Sequence, residues 1–325
     1  MNMVGKFSTE ISARCRQGTV AVLMSTFNGE KYLVEQIESI LPQLRNQDRL
    51  VIRDDGSTDS TVSIIKSFAD ARIVLFEGEN IGFVGSFFWM LFHVESSHTV
   101  YLLADQDDIW DHDKVDRAYE SVGRVNMAAL YCTRLRLVDA GNKLIGLSPN
   151  FRNQPSFWNA ACENIATGCT IAVNKAALDV VRSVPWKLFS ANQIGYHDWW
   201  LYLTISQFGA VYFDPLPSIN YRQHGANFVG MGAGIGRYLT IWRAIRKKSW
   251  TGILVRQLRF FDMVYGNRIP PTERVLLQRL FTGSSWRIAM NLVTSSNLRR
   301  QSPGGSLVFR GLVIYDLIRG RIPSN

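Results

Sequence analysis

Three carboxylates fall within four residues at Asp105-Gln106-Asp107-Asp108. Groups so crowded repel one another unless a proton or a cation comes between them. A hard divalent cation, Mg2+ or Mn2+, with oxygen ligands answers that repulsion and shares its shell with substrate phosphates. A second acidic pair, Asp54-Asp55, runs on into Gly56-Ser57-Thr58-Asp59. A carboxylate there can accept hydrogen bonds from a base N–H or from ribose hydroxyls. The plainer reading of both is a solvated turn that opens a helix, with Asp108 or Asp111, and Asp59 or Ser60, as caps. Further on, His197-Asp198-Trp199-Trp200 sets a carboxylate beside aromatic rings. Neighbouring aromatic rings can raise a carboxylate's pKa by desolvation. The two tryptophans read first as core. Cys169 reads as a small packing residue, with no basic partner near it in sequence to activate it.

Each acidic group needs an element to hold it. Residues 19–24, 48–53, 73–76 and 99–103 are short apolar runs that suit buried strands. Between them Tyr32, Leu33, Gln36, Ile37 and Ile40, then Val62, Ile65 and Phe68, and then residues 84–94 follow helical spacing. Strand alternating with helix predicts an α/β fold, a doubly wound and mostly parallel sheet. In such a sheet Asp54-Asp55 and the 105–108 cluster share one edge, at the carboxyl ends of their strands, where ligands bind. Beyond it we expect a helix over 114–125, strands over 128–132 and 134–138, and a loop or short helix over 151–164. A strand over 167–173, helices over 175–184 and 201–208, and short strands over 211–213 and 218–221 complete the body. Five glycines between 225 and 236 predict a mobile loop.

The chain of 325 residues is 46% hydrophobic, enough for a large core, and only 19% charged. Its net charge of +9 is uneven: from Arg237 onward 16 Lys and Arg face only Asp262, Glu273 and Asp316, a net of +13, which leaves −4 for the remainder. A basic terminal region on a slightly acidic body suits a polyanionic surface, anionic lipid or nucleic acid. Tyr238, Ile241, Trp242 and Ile245 would form one face of a helix flanked by Arg243, Arg246 and Lys247, as in a helix lying in a membrane interface or packed on the body. Cys15, Cys132, Cys162 and Cys169 have neither zinc-ligand spacing nor the look of a disulfide framework, which suits a reducing cytosol. No signal sequence is read at the N-terminus. No apolar run reaches the ~20 residues that cross a bilayer. The expected organisation is a leader over 1–18, a catalytic domain over 19–236 and a basic helical, membrane-associating region over 237–325.

Four motifs in order, Thr26-Phe27-Asn28-Gly29, Asp54-Asp55-Gly56-Ser57-Thr58-Asp59, Asn80-Ile81-Gly82 and Asp105-Gln106-Asp107-Asp108-Ile109-Trp110, resemble those of family 2 glycosyltransferases with the GT-A fold. With Thr167-Gly168-Cys169-Thr170, His197-Asp198-Trp199-Trp200 and Tyr221-Arg222-Gln223-His224-Gly225, the chain more narrowly resembles bacterial rhamnosyltransferases of polysaccharide assembly. The likeness runs from about 19 to 227 and thins beyond 236. It implies an inverting, metal-dependent transfer of a sugar, L-rhamnose from dTDP-rhamnose, to a lipid-linked glycan at the cytoplasmic face of the membrane. It also implies roles by position. Thr26, Asn28, Asp54, Asp55, Asn80, Gly82, Asp105, Gln106 and Arg222 would bind the nucleotide-sugar. Asp107 and His224 would hold Mg2+ or Mn2+, Asp198 would be the base, and Gly168, Cys169 and Trp199 would face the acceptor. The chain departs from the pattern at Gly85-Ser86, where relatives often carry Lys-Asn, and at Ala226, where they often carry Asn.

Two other readings compete. A nucleotidyltransferase on the same fold would need a glycine-rich, lysine-bearing triphosphate cradle, and no Lys lies near Asp54-Asp55-Gly56. A non-catalytic basic module that binds nucleic acid would leave the acidic clusters without a purpose. No nucleic acid partner is therefore expected.

Overall fold

The structure, a computed structural model, describes residues 16–189, 193–223 and 249–324. The expected helix over 238–247, the glycine-rich loop, His224 and nearly all of the leader lie outside the described residues.

Strands β1 (Val20–Thr26), β2 (Arg49–Asp54), β3 (Ile73–Glu77) and β4 (Val100–Ala104) alternate with helices α1 (Leu33–Ile40), α2 (Thr61–Ser67) and α3 (Gly82–His93). After β5 (Ile109–Trp110) and α4 (Lys114–Val122) come β6 (Ala129–Thr133), β7 (Arg136–Val138), β8 (Leu144–Leu147), α5 (Phe157–Ala160), β9 (Ala172–Asn174), α6 (Lys175–Arg182), α7 (His197–Phe208), β10 (Ala210–Asp214) and β11 (Ile219–Arg222). The described C-terminal part is helical: α8 (Trp250–Tyr265), α9 (Pro271–Arg279), α10 (Ser285–Thr294) and α11 (Pro303–Ile318).

The main sheet has the order β10-β6-β9-β4-β1-β2-β3 among the described residues. All its pairings are parallel except those of β9, which runs antiparallel to β4 and β6. A smaller sheet, β5-β11-β7-β8, stands beside it. β1 explains the layering. Val20, Val22 and Met24 join the core under α1 and α4, while Ala21 and Leu23 join the core under α3 and α7. Alternation with period two buries both faces, as helices on both sides require. Val255, Leu258, Phe261, Leu292 and Val313 belong to the α3/α7 core. The C-terminal helices therefore extend that core and do not form a separate one.

Parallel register fixes the site. Thr26 pairs with Asp54, and Met24 with Ala104. The carboxyl ends of β1, β2 and β4 thus meet at one edge, as the sequence implies. One expectation fails: residues 167–173 are not a single strand. Gly168–Thr170 is a 3-10 turn and the strand begins only at Ala172. An apolar run does not distinguish a buried turn from a buried strand.

Candidate active site

The site begins with the turns that follow β1 and β2. Asp54, 2% exposed, accepts from the Thr26 hydroxyl at 2.9 Å, from the Ser57 amide at 2.8 Å and from the Ser57 hydroxyl at 2.6 Å. Asn28 sits at φ 47° and accepts from the Thr58 amide at 2.8 Å. Its own amide donates to Ser57 at 2.9 Å. Asn and Gly tolerate this left-handed region best, because a short polar side chain or none relieves the clash. The two turns are therefore laced together before any ligand arrives. Asp55 is equally buried, pairs with Arg53, and accepts from the Ile81 amide at 2.9 Å. It fixes the loop carrying Asn80, whose side-chain carbonyl accepts from the Gly82 amide at 3.1 Å. Gly82 opens α3 at φ 75°, a conformation other residues resist. Where the pattern departs, Ser86 is buried and takes a hydrogen bond from Ser25 at 2.7 Å.

Gln106 joins the β4 turn to the β1 turn. Its amide accepts from the Phe27 N–H at 2.8 Å and donates to the Phe27 carbonyl at 3.1 Å. A Cβ on Gly29 would lie 2.3 Å from its oxygen, so any larger residue there would push the Gln106 amide away from Phe27.

Asp108 does not cap a helix, contrary to the plainer sequence reading. α4 starts six residues later, at Lys114, and Asp108 is fully buried. One oxygen accepts from the Arg222 amide at 3.1 Å, and the other, buried, has no hydrogen-bond partner among the described residues. Ligand atoms of Asp105, Asp108 and Cys169 all lie within 4.8 Å of one another. Burial, then the charges of Asp107 and Asp198, push the Asp105 carboxyl up to about 7. Burial first, then Asp107 and Asp105, push Asp108 well above the carboxylate range, and Cys169 is likewise raised by burial. Lys114 lies beneath the cluster, buried, with its ammonium 4.7 Å over the Trp110 ring. Burial brings it down to about 8 against the favourable charge of Asp108.

Arg222 holds the acidic turn from β11. It is 2% exposed, donates from Nε to the Asp107 carbonyl at 2.9 Å and from Nη1 to the Ala140 carbonyl at 2.8 Å, and pairs with Glu35. Its guanidinium lies 4.5 Å over the Tyr32 ring. These contacts make it a clamp on the turn's backbone.

The other wall comes from α7. Asp198, in the first turn, accepts from the Gly168 amide at 3.2 Å and from the Trp199 amide at 2.6 Å, with a further bond from the Asn164 side chain. Burial outweighs these bonds and lifts its carboxyl to about 6. His197 stacks on Phe87 at 4.1 Å, and neither ring nitrogen has a hydrogen-bond partner among the described residues. Burial lowers its pKa to about 3, so it is neutral. A Cβ on Gly168 would come 2.8 Å from its Nε2. Trp199 is 5% exposed and donates to the Ala160 carbonyl at 2.6 Å, and Trp200 is fully buried. Both rings are core in this arrangement, and the Trp199 ring leaves no open face for a sugar.

The structure thus gathers Asp105, Asp108, Cys169, Asp198 and Gly168 around one point, with Asp107 on the same turn as Asp105 and Asp108, Arg222 clamping that turn from β11, and Thr26, Asn28, Asp54 and Asp55 at the neighbouring strand ends. Sequence reasoning missed Glu35, Asn164 and Lys114, which lie in separate elements and carry no local signal. The arrangement pairs a crowded acidic cluster with a carboxylate that becomes a base near neutrality.

Comparison with known proteins fits this geometry. A model described as Glycosyl transferase family 2 matches residues 21–176. The dTDP-rhamnosyl transferase RfbG of Shigella flexneri is 30% identical over 221 residues, 64% of this chain and 73% of that protein. The UDP-Glc:alpha-D-GlcNAc-diphosphoundecaprenol beta-1,3-glucosyltransferase WfgD of Escherichia coli is 25% identical over 190 residues, 57% of this chain and 69% of that one. Among solved structures, S. aureus TarS 1-349 in complex with UDP-GlcNAc aligns with a TM-score of 0.52 at 14% identity, covering 93% of this chain and 92% of that one. The mannosyltransferase PcManGT of Pyrobaculum calidifontis in complex with GDP-Man and Mn2+ aligns at 0.51 and 17% identity, covering 94% and 82%.

Proposed function

Since the chain belongs to glycosyl transferase family 2 and has the GT-A fold, we propose that it is an inverting, metal-dependent transferase that moves L-rhamnose from dTDP-rhamnose to a hydroxyl of a lipid-linked glycan, in cell-surface polysaccharide synthesis such as that of O-antigen. It would work as a peripheral protein on the inner face of the cell membrane. The observation that carries the reading is Asp198: a carboxylate at the start of α7, held by the Gly168 and Trp199 amides, whose charge reaches Asp105 at the sheet edge.

Such a base suits inversion, in which the acceptor hydroxyl must lose its proton as it attacks the anomeric carbon. The Gly168 and Trp199 amides aim the carboxylate, and neutral His197 beside it adds no competing charge. Asp54 and Asn28 would receive base and ribose, with Thr26, Asp55, Asn80 and Gly82 holding the turns around them. The donor set fits a divalent cation, because Asp105, Asp107 and Asp108 crowd their charges together and a buried Asp108 oxygen has no partner among the described residues. Asp107 would be its principal ligand, with Asp105 at the ribose or close behind the metal, and His224 reaching it from the following segment. When bound, Mg2+ or Mn2+ would neutralise charge on the departing nucleoside diphosphate. The rhamnosyl donor is supported by the likeness to the Shigella relative, and the lipid-linked acceptor by the diphosphoundecaprenol-linked substrate in the name of the Escherichia coli one.

The test is thermal stabilisation of the purified chain by a panel of sugar nucleotides, with Mn2+ or with EDTA. dTDP-rhamnose with Mn2+ should stabilise by about 2.7 kcal/mol at a hundredfold excess over its Kd, and Asp107→Ala should lose that response. Stabilisation by UDP-Glc alone would overturn the donor assignment, and none by any sugar nucleotide would overturn the transferase reading.

A further inference from the structure

α11 leaves an apolar line in solvent. Leu307, Gly311, Ile314 and Ile318 follow at intervals of four, three and four residues, which aligns them along one stripe of the helix. Leu307 is 72%, Ile314 47% and Ile318 79% exposed, while Phe309, Val313 and Asp316 on the other side are buried. α10 packs against α11 and exposes Trp286 (65%) with Met290 one turn on. The Ser285 hydroxyl donates to the Ile322 carbonyl at 2.7 Å, so Trp286 stands at the Ile318 end of the stripe. Large apolar side chains gathered in this way mark an interaction surface.

The charge around the stripe selects its partner. Arg287, Arg310 and Arg319 are exposed on these two helices, and none of them makes an ion pair among the described residues. The acidic residue of the pair, Asp316, is buried and bonded to Ser249 and Thr251. Apolar residues edged by arginine, without an exposed carboxylate, match the headgroup and acyl boundary of an anionic bilayer. A second copy set face to face would bring arginines against arginines.

The stripe is also tied to the site. α11 begins just after Gln301, whose amide donates to Glu163 at 2.6 Å, and Arg300 Nη2 donates to the same carboxylate at 3.0 Å. Asn159 donates to the Arg299 carbonyl at 2.9 Å. The next residue after Glu163 is Asn164, which bonds the Asp198 carboxylate. One short segment therefore links the start of α11 to the wall that holds the base.

We infer that the exposed face of α10 and α11 is the surface by which this protein lies on an anionic lipid bilayer, with Trp286, Leu307, Ile314 and Ile318 inserted and Arg287, Arg310 and Arg319 at the headgroup phosphates. It deepens the membrane-surface reading above and rests on that reading for its purpose, the delivery of a lipid-linked acceptor to Asp198. The full chain is sedimented with vesicles of phosphatidylcholine alone or mixed with phosphatidylglycerol. Wild type should bind the mixed vesicles, less so as salt rises. Leu307→Glu with Ile318→Glu should weaken binding at least about tenfold, with an unchanged melting temperature. Arg287→Gln with Arg310→Gln should weaken it several-fold and flatten its salt dependence. Unchanged binding by the glutamate pair, or no binding by wild type, overturns the inference. So does a wild-type dimer that the glutamate pair splits without any vesicle binding, since the face would then join two copies. The vesicles hold neither donor nor acceptor, so a failed transfer assay leaves this result standing, and failed vesicle binding leaves the donor assay untouched.

Discussion

Replacing Asp198 by asparagine separates the chemical from the structural work of this carboxylate. Its folded pKa, about 6, lies above the ordinary 3.8. The ionised form therefore costs the folded state stability: nothing below about pH 4, rising to its full value above about pH 6. A tenfold change in ionisation is worth about 1.4 kcal/mol, so moving the carboxyl from 3.8 to about 6 costs about 3 kcal/mol at neutral pH. Asparagine removes that cost, yet it offers one acceptor oxygen to three donors, the Gly168 and Trp199 amides and the Asn164 side chain. Losing one or two of those bonds takes back about 1–2 kcal/mol. The variant should thus be about 1–2 kcal/mol more stable at pH 7.5, a rise of roughly 2–5 °C in melting temperature. It should lose about 10²- to 10⁴-fold in transfer rate for want of a base. In the wild type, a base near 6 is about nine-tenths ionised at pH 7 and about one-tenth at pH 5, so kcat/KM should fall about tenfold between them. Calorimetry, denaturant titration and initial rates with labelled donor read all three. An Asp198→Asn variant that is less stable than wild type, or that turns over within tenfold of it, refutes the reasoning.

Much of the sheet was legible because β1, β2 and β4 are largely apolar runs bounded by turn residues, and burial on two faces leaves no other use for such runs. The shared edge followed from that parallel order. What periodicity could not supply was anything set by a distant element. Asp108 looks like a helix start in isolation. It is buried because β11 brings the Arg222 amide to it from 114 residues away. Lys114, an ordinary first helical residue by sequence, is drawn under the acidic cluster by the packing of Trp110 and Ser218. The sequence marks 237–325 as helical and basic but does not say where its helices pack. In the structure Arg259 reaches round to the Phe281 carbonyl, and the apolar face packs into the main core. Gly168 could be singled out only by family likeness. Its physical reason, a Cβ colliding with His197, exists only once α7 is in place.

Two further outcomes follow from contacts the sequence could not show. Gly168→Ala should cost about 1–3 kcal/mol in denaturant titration and lower kcat, because the added Cβ would lie 2.8 Å from His197 Nε2 and that ring, stacked on Phe87 at 4.1 Å, has little room to yield. Arg222→Met tests the clamp. The substitution keeps the backbone N–H that Asp108 accepts but strands the carbonyls of Asp107 and Ala140. A charged donor to a carbonyl contributes about 1.5–3 kcal/mol, whereas Glu35, its side chain 54% exposed, adds little through solvent. With packing by the Met side chain offsetting part of the loss, we expect about 3 kcal/mol of destabilisation. The turn carrying Asp107 should loosen with it, so metal-dependent donor affinity should fall while a shift in the pH limb assigned to Asp198 should not occur. If Arg222→Met melts with wild type and binds donor as tightly, the acidic turn is held by its own backbone, and the clamp has no part in forming the site.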